Sequence, residues 1–322
     1  MRLATWNVNS LTARLPRVLE WLEQQAPDVL CIQETKIAEE NFPHAELREL
    51  GYVAATYGMG QWNGVATITK VDAAEVTRGF DEEPGFPDPE ARALAVTWND
   101  LRIWSLYVPN GRTPDDPHYD YKLRWLAALR VALAAEREAG RKLVVCGDFN
   151  VAPNDRDVWD MAAFEGSTHV TQPERDAVKA LLELGLTDLQ PRIVKGEPFT
   201  YWDYRAGNFH KGLGMRIDLM LLDEALTPKV KDVWIDRDAR KGKKPSDHAP
   251  VVVDLDQLPV TGRTGKSARL NIRWPACSSA PSQPPLPCPP RPLVSRQVLP
   301  LPPPRHAPAR RLISTACALP RS

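Results

Sequence analysis

The stretch Lys142-Leu143-Val144-Val145-Cys146-Gly147-Asp148-Phe149-Asn150 decides the fold. Leu143 to Cys146 is a short apolar run rich in β-branched residues and bounded by Gly147, the pattern of a buried strand. It runs into Asp148 and Asn150, one residue apart. Side chains at i and i+2 of an extended segment point the same way. A carboxylate and an amide therefore stand together where a rigid strand passes into a loop, a common place for chemistry. An ordinary Asx turn after a strand fits the same nine residues, so the rest of the chain has to decide between the two.

Upstream, Tyr119–Ala139 carries Leu126, Leu129 and Leu133 on one helical face and closes at Gly140. Before it, the pattern turns repeatedly to strands, over 52–57, 64–69, 74–78, 91–98 and 101–107. Asn99-Asp100 reads as a hairpin turn, and the acidic, Pro-rich Asp81–Pro89 as a surface loop. At the N-terminus, Arg2–Val8 is strand-like and ends in Trp6-Asn7. Leu15, Val18, Leu19 and Leu22 follow at helical spacing, and Val29–Ile32 is a second buried strand leading into Gln33-Glu34. Downstream come a helix over 174–184 and strands over 199–204, 216–222, 230–235 and 251–255. The strands thus fall into two sets, each opened by a strand–helix pattern. One domain of two packed sheets with helices outside accounts for this. The aromatic–Asn pairs Trp6-Asn7 and Phe149-Asn150 suggest an internal duplication.

Hydrophobic residues make up 43% of the 322, enough for a substantial core. The 41 basic and 41 acidic residues balance only overall. Residues 259–322 hold ten Lys or Arg, no Asp or Glu, and 15 of the 31 prolines. Taking those ten from 41 leaves residues 1–258 with 31 basic and 41 acidic side chains, a net of −10. The expectation is a folded domain over 1–258 and a disordered, basic, Pro-rich tail over 259–322. The five cysteines match neither a zinc site nor a disulfide framework. The chain shows no signal peptide and no apolar run of about 18 residues. A soluble, cytoplasmic, membrane-independent protein is expected.

Asn7, Glu34, Asp148 with Asn150, Asp218, and Asp247-His248 all lie at the edges of apolar strands. Singly they have ordinary explanations: Asn7 as a helix cap, Glu34 as a surface carboxylate. Asp218 is costlier to explain, because a charge in the hydrophobic Arg216–Leu221 run needs a partner. Together they offer hard oxygen ligands and one imidazole, a set suited to magnesium or manganese rather than zinc. A divalent cation among carboxylates points to phosphate chemistry. No Gly-rich phosphate loop is present.

The segments Thr5-Trp6-Asn7-Val8-Asn9-Ser10-Leu11, Ile32-Gln33-Glu34-Thr35-Lys36, Tyr107-Val108-Pro109-Asn110-Gly111, Gly147-Asp148-Phe149-Asn150, Trp202-Asp203-Tyr204-Arg205, Arg216-Ile217-Asp218-Leu219 and Ser246-Asp247-His248-Ala249-Pro250 occur in that order over residues 1–256. In this the chain resembles the endonuclease/exonuclease/phosphatase superfamily, and within it the exodeoxyribonuclease III family of apurinic/apyrimidinic endonucleases. The resemblance implies an α+β fold, a four-layer αββα sandwich, and a metal-dependent nuclease that cuts 5′ to abasic sites and trims 3′ ends. It implies Mg2+ or Mn2+ as cofactor, double-stranded DNA as partner, and a monomer.

The resemblance also implies roles. Glu34 is the main metal ligand, helped by Asn7 and Asp247, with Asp148, Asn150 and His248 around the ion. Asp148 orients or activates the attacking water. Tyr107 and Asn150 hold the phosphate. Asp218 fixes His248, which stabilises the transition state. Tyr201, Met215 and Ile217 wall the pocket for the missing base, and Arg112, Lys122, Arg205 and Arg216 contact the DNA. The basic run Arg237, Arg240, Lys241, Lys243 and Lys244 offers further phosphate contacts. An inositol-phosphate or sphingomyelin phosphodiesterase would use the same Asn7, Glu34 and Asp247-His248 set. The Trp202–Arg205 and Arg216–Leu219 segments favour DNA. A non-catalytic binding module would have lost one of these residues, and none is lost.

Overall fold

The structure is a computed structural model and describes residues 1–80, 90–193 and 196–256. Both the loop expected at 81–89 and the tail expected at 259–322 fall outside the described residues. In chain order the elements are β1 (Arg2–Asn7), α1 (Leu11–Gln25), β2 (Val29–Gln33), α2 (His44–Glu49), β3 (Val53–Tyr57), β4 (Val65–Thr69), β5 (Ala74–Arg78), β6 (Ala93–Trp98), β7 (Leu101–Tyr107), α3 (Pro117–Glu138), β8 (Lys142–Asp148), α4 (Gln172–Leu182), β9 (Leu186–Asp188), α5 (Asn208–Lys211), β10 (Asp218–Asp223), β11 (Val230–Ile235) and β12 (Val251–Leu255).

They build two six-stranded sheets, ordered β11-β12-β1-β2-β4-β3 and β5-β6-β7-β8-β10-β9. Period-2 alternation explains the four layers. In β8, Val144 and Cys146 face the opposite sheet, while Leu143 and Val145 face α3 and α4. In β2, Val29 and Cys31 point inward, and Leu30 and Ile32 outward against α1 and α2. α1 and α2 shield the outer face of one sheet and α3 and α4 that of the other, so both sheets are apolar on both sides. This is the αββα sandwich expected from the sequence.

The same parity positions the polar strand ends. Asn7, Gln33, Tyr107, Asp148 and Asp218 share the inward parity of Leu3, Cys31, Ile103, Cys146 and Met220 on their own strands. Asp148 pairs in register with Tyr107 on one side and Asp218 on the other. Gly147 permits this packing. Its φ is +143°, and a Cβ there would lie 1.9 Å from the Leu106 carbonyl oxygen.

Two local expectations change, and one short strand was not anticipated. Residues 199–204 form no strand; Tyr201 makes only isolated bridges, to Met215 and to His248. The reason is Thr200, whose hydroxyl accepts the backbone N–H groups of Ile217 and Asp218, both at 3.1 Å, in place of a ladder. The three-residue strand β9 was too short to show periodicity. The cap of α1 is Ser10 rather than Asn7, which leaves Asn7 for the site. The Asn99-Asp100 hairpin is as expected, with φ of 46° and 62°, the left-handed pair such a turn demands.

Candidate active site at the strand ends

The two sheets converge on one cluster of polar side chains. Asn7 Nδ2 donates to Glu34 Oε1 at 2.8 Å and to Asp148 Oδ2 at 2.9 Å, so one amide spans both sheets and spaces the two carboxylates. Its Oδ1 accepts the Asn9 N–H at 3.0 Å. His248 and Asp218 form a second link, Nδ1 to Oδ2 at 2.7 Å, and His248 Nε2 lies 3.8 Å from Asp148 Oδ2. Asp218 therefore has the partner that its hydrophobic context demanded. Its Oδ1 is buried without a hydrogen-bond partner.

Glu34 and Asn150 both leave their strands through the left-handed region, with φ of 52° and 51°. Such conformations cost on the order of 1–3 kcal/mol and persist where surrounding bonds over-determine them. At Glu34 the carbonyl accepts the Ser10 N–H at 2.7 Å. At Asn150 the N–H donates to Asp148 Oδ1 at 2.9 Å, and Nδ2 donates to the Val108 carbonyl at 2.9 Å. Asn110 Nδ2 donates to Asn150 Oδ1 at 3.1 Å.

Burial and charge set the protonation states. Burial pushes Asp148 up, and Asp218 and Glu34 add to this against the pull of His248, leaving its carboxyl at about 7. Burial alone would strip His248 of its proton, yet Asp218 and Asp148 overcome it and hold the imidazolium up to about 10. Burial also opposes ionisation of Glu34, but Lys36 and Asn7 carry it below the usual carboxylate range. Lys36 Nζ lies 2.7 Å from both Glu34 Oε2 and Asn9 Oδ1. Tyr107 is held well above the usual phenol range by burial and by Glu34, with which it is hydrogen bonded, and Arg92 stacks 4.7 Å from its ring.

Glu34, Asp148 and His248 bring ligand atoms within 4.8 Å of one another, the one such metal-competent group among the described residues. The carboxylate oxygens suit a hard divalent cation. Asp247 stands beside this group, its Oδ1 bound to Asn9 Nδ2 at 3.0 Å.

Next to the cluster lies a groove of 750 Å³ lined in part by Trp159, Phe164, Tyr201, Met215, Arg112 and Arg205. Tyr201 joins groove to cluster, its ring centroid 4.9 Å from that of His248. Ile217, expected in the wall, packs behind it with Val158 and Met215. Two expected DNA contacts are corrected. Lys122 is 0% exposed and paired with Glu174. Arg216 is 1% exposed and clamped between Asp157 and Asp188. Neither can reach a phosphate outside the protein, because buried cations stay with their counter-ions. In the basic run, Arg237 and Arg240 stack on Trp202 and Phe209 instead of facing solvent. Lys241, Lys243 and Lys244 are exposed.

Sequence reasoning assigned no role to Asn9, Lys36, Asn110, His169, Trp159 or Phe164. Lys36 and Asn110 lay inside the quoted motifs and could have been found there. His169 sits in a polar loop without periodicity. Its Nδ1 is 2.5 Å from the Asn150 carbonyl oxygen, and burial together with Lys122 takes it down to about 4.

A sandwich of two mixed sheets with this cluster between their ends is a phosphoesterase architecture, and the chain belongs to the endonuclease/exonuclease/phosphatase family, whose sequence pattern matches residues 4–248. It is 29% identical over 265 residues to exodeoxyribonuclease III of Haemophilus influenzae, covering 78% of this chain and 98% of that one. A solved 3′-5′ exonuclease (NExo) from Neisseria meningitidis is 38% identical with a TM-score of 0.76, covering 80% of this chain and all of that one. An AP endonuclease from Archaeoglobus fulgidus is 35% identical with a TM-score of 0.75 at the same coverage.

Proposed function

We propose that this protein is a DNA-repair nuclease that needs magnesium or manganese, hydrolysing phosphodiesters 5′ to abasic sites and trimming 3′ ends of duplex DNA. One observation carries the reading: Glu34, Asp148 and His248 converge within 4.8 Å beside a groove with aromatic walls and the arginines Arg112 and Arg205. The similarity to an exonuclease and an AP endonuclease supports DNA as substrate.

Glu34 and Asp148 would hold the cation, with Asn7 fixing their orientation and Asp247 and Asn150 close by. A cation held there would supply positive charge to a phosphoryl oxygen and favour the carboxylate form of Asp148. The remaining steps belong to the chain. Asp148 takes a proton from the water that attacks phosphorus in line. The His248 imidazolium, aligned by Asp218, donates to a non-bridging oxygen as negative charge builds there. Preorganised donors of this kind often supply the largest part of catalysis. Tyr107 and Asn150 position the phosphate, and the P–O bond to the 3′ oxygen breaks, the departing alkoxide taking a proton from solvent to become a 3′ hydroxyl. Tyr201 and Met215 receive the sugar in the groove, and Arg112 and Arg205 meet the flanking phosphates.

The test is incubation with two duplexes, one carrying a single abasic site and one a recessed 3′ end. Each is run with magnesium and with EDTA. The expected result is incision 5′ to the abasic site and stepwise 3′ shortening, both abolished by EDTA. Intact substrates under every condition would overturn the reading.

A further inference from the structure

Lys122 is the least expected residue near the site. A lysine that is fully buried is rare unless paired. Its Nζ reaches Glu174 Oε1 at 2.5 Å, the Asn150 carbonyl at 2.7 Å, the Asn110 carbonyl at 3.2 Å and Thr168 Oγ1 at 3.4 Å. Two of these acceptors are backbone groups from different loops. One loop follows β7 and carries Asn110; the other follows β8 and carries Asn150. The side chains of the same two residues are joined by a hydrogen bond.

Glu174 fixes the lysine in turn. It is the third residue of the α4 capping box. Its two oxygens accept from Lys122, from Thr168 Oγ1 at 2.6 Å, from His169 N at 3.0 Å, and from Thr171 N and Oγ1 at 3.0 and 2.7 Å. Every lone pair is engaged, as a buried carboxylate requires. Gly111 completes the packing, since a Cβ there would meet Thr168 Oγ1 at 2.8 Å and Lys122 Cδ at 3.1 Å.

We infer that the Lys122–Glu174 pair is a positioning device for the reaction, holding the Asn110 and Asn150 loops in the conformation that presents Asp148 and Asn150 to the phosphate. The connection runs through the backbone. Asn150 keeps its left-handed conformation with its carbonyl turned to Lys122 and His169 and its N–H on Asp148 Oδ1. Removal of the Lys122 ammonium leaves that carbonyl held by His169 alone, and the peptide that orients Asp148 loses one of its anchors. Small displacements of a reacting group are expensive, about 10²-fold for 1 Å. The inference rests on the proposed nuclease reading for its readout.

A purely structural pair and a positioning pair respond differently to apolar replacement. Buried ion pairs can often be replaced by hydrophobic residues with little loss of stability. The experiment compares parent, Lys122→Met and the double variant Lys122→Met/Glu174→Leu by thermal melting and by kcat and KM on the recessed duplex. Arg102→Met serves as control. Arg102 is also buried and paired, with Glu136, but at the far end of β7. The expected result is a drop in kcat of about 30-fold or more in both Lys122 variants, with KM within about threefold of the parent. The double variant regains thermal stability but not kcat, and Arg102→Met loses stability alone. Should the single variant fail to fold, the double variant answers the question by itself. A kcat within threefold of the parent in the folded double variant would overturn the inference. A parent inactive on every duplex would instead count against the nuclease reading.

Discussion

The two sheets share one plan and differ in chemistry. Each places a parallel pair at its centre, β1 with β2 and β7 with β8, joined by one helix. Each flanks that pair with two antiparallel neighbours on either side. Matching the sheets in this order sets Asn7 against Tyr107 and Gln33 against Asp148. The neighbour of Gln33 on β4 is Val65, where the neighbour of Asp148 on β10 is Asp218. The first sheet thus ends in neutral amides, and Glu34 enters one residue beyond its strand. The second sheet carries acids on the strands themselves. Gln33 spends its amide on Thr5 and Ser105, at 3.0 and 3.1 Å, fastening the sheets together. The same plan therefore ends in neutral amides on the strands of one sheet and in acids on the strands of the other.

The largest expected effect tests that division directly. Asp148→Asn should lower kcat by about 10²–10⁴-fold, the usual contribution of a general base, with the melting temperature maintained or raised. The counterpart Gln33→Leu should keep turnover within about tenfold while costing roughly 1–3 kcal/mol, because it leaves buried hydroxyls unpaired. Steady-state kinetics and urea melts on both variants check this; a catalytic collapse in Gln33→Leu would break the comparison. Next in size, Asp218→Asn and His248→Gln should each cost about 10²–10³-fold in kcat, and the double variant little more, since the two act as a unit. Additive losses in that cycle would separate them.

The pH profile should show the smallest effect and the sharpest sign. In the proposed mechanism Asp148 works as the carboxylate, so without a bound cation its competent form falls away as pH drops through about 7. The same mechanism uses His248 as the imidazolium, so activity should fall as pH rises through about 10. Raising the magnesium concentration should shift the acid limb to lower pH and leave the alkaline limb in place. Rates from pH 5 to 11 at two metal concentrations check both signs.

Much of this was legible in the sequence because strand ends announce themselves. Val144–Cys146 and Val29–Ile32 are apolar runs that stop at a polar residue, and period 2 carries that residue inward. The pairing of the halves was not legible. Trp6-Asn7 and Phe149-Asn150 look alike, yet they end β1 and β8, which occupy different places in the common plan. The fate of each cation was equally hidden. Lys122 and Arg216 read as surface charges because their acids, Glu174, Asp157 and Asp188, lie 28 to 59 residues away. Only folding brings them together.

The withdrawal of Lys122 and Arg216 from the surface has a thermodynamic consequence. Each phosphate neutralised by a protein cation releases condensed counterions, and log K falls with log salt by about 0.9 per contact on B-DNA. The groove exposes Arg112 and Arg205, and the residues 1–258 around it carry a net charge of −10. The two groove arginines alone give a slope of roughly −2, which contacts from the exposed Lys241, Lys243 and Lys244 would steepen; fluorescence anisotropy in EDTA across a salt series reads it. A slope that shallow would mark the shape of the groove, rather than charge, as the main source of affinity.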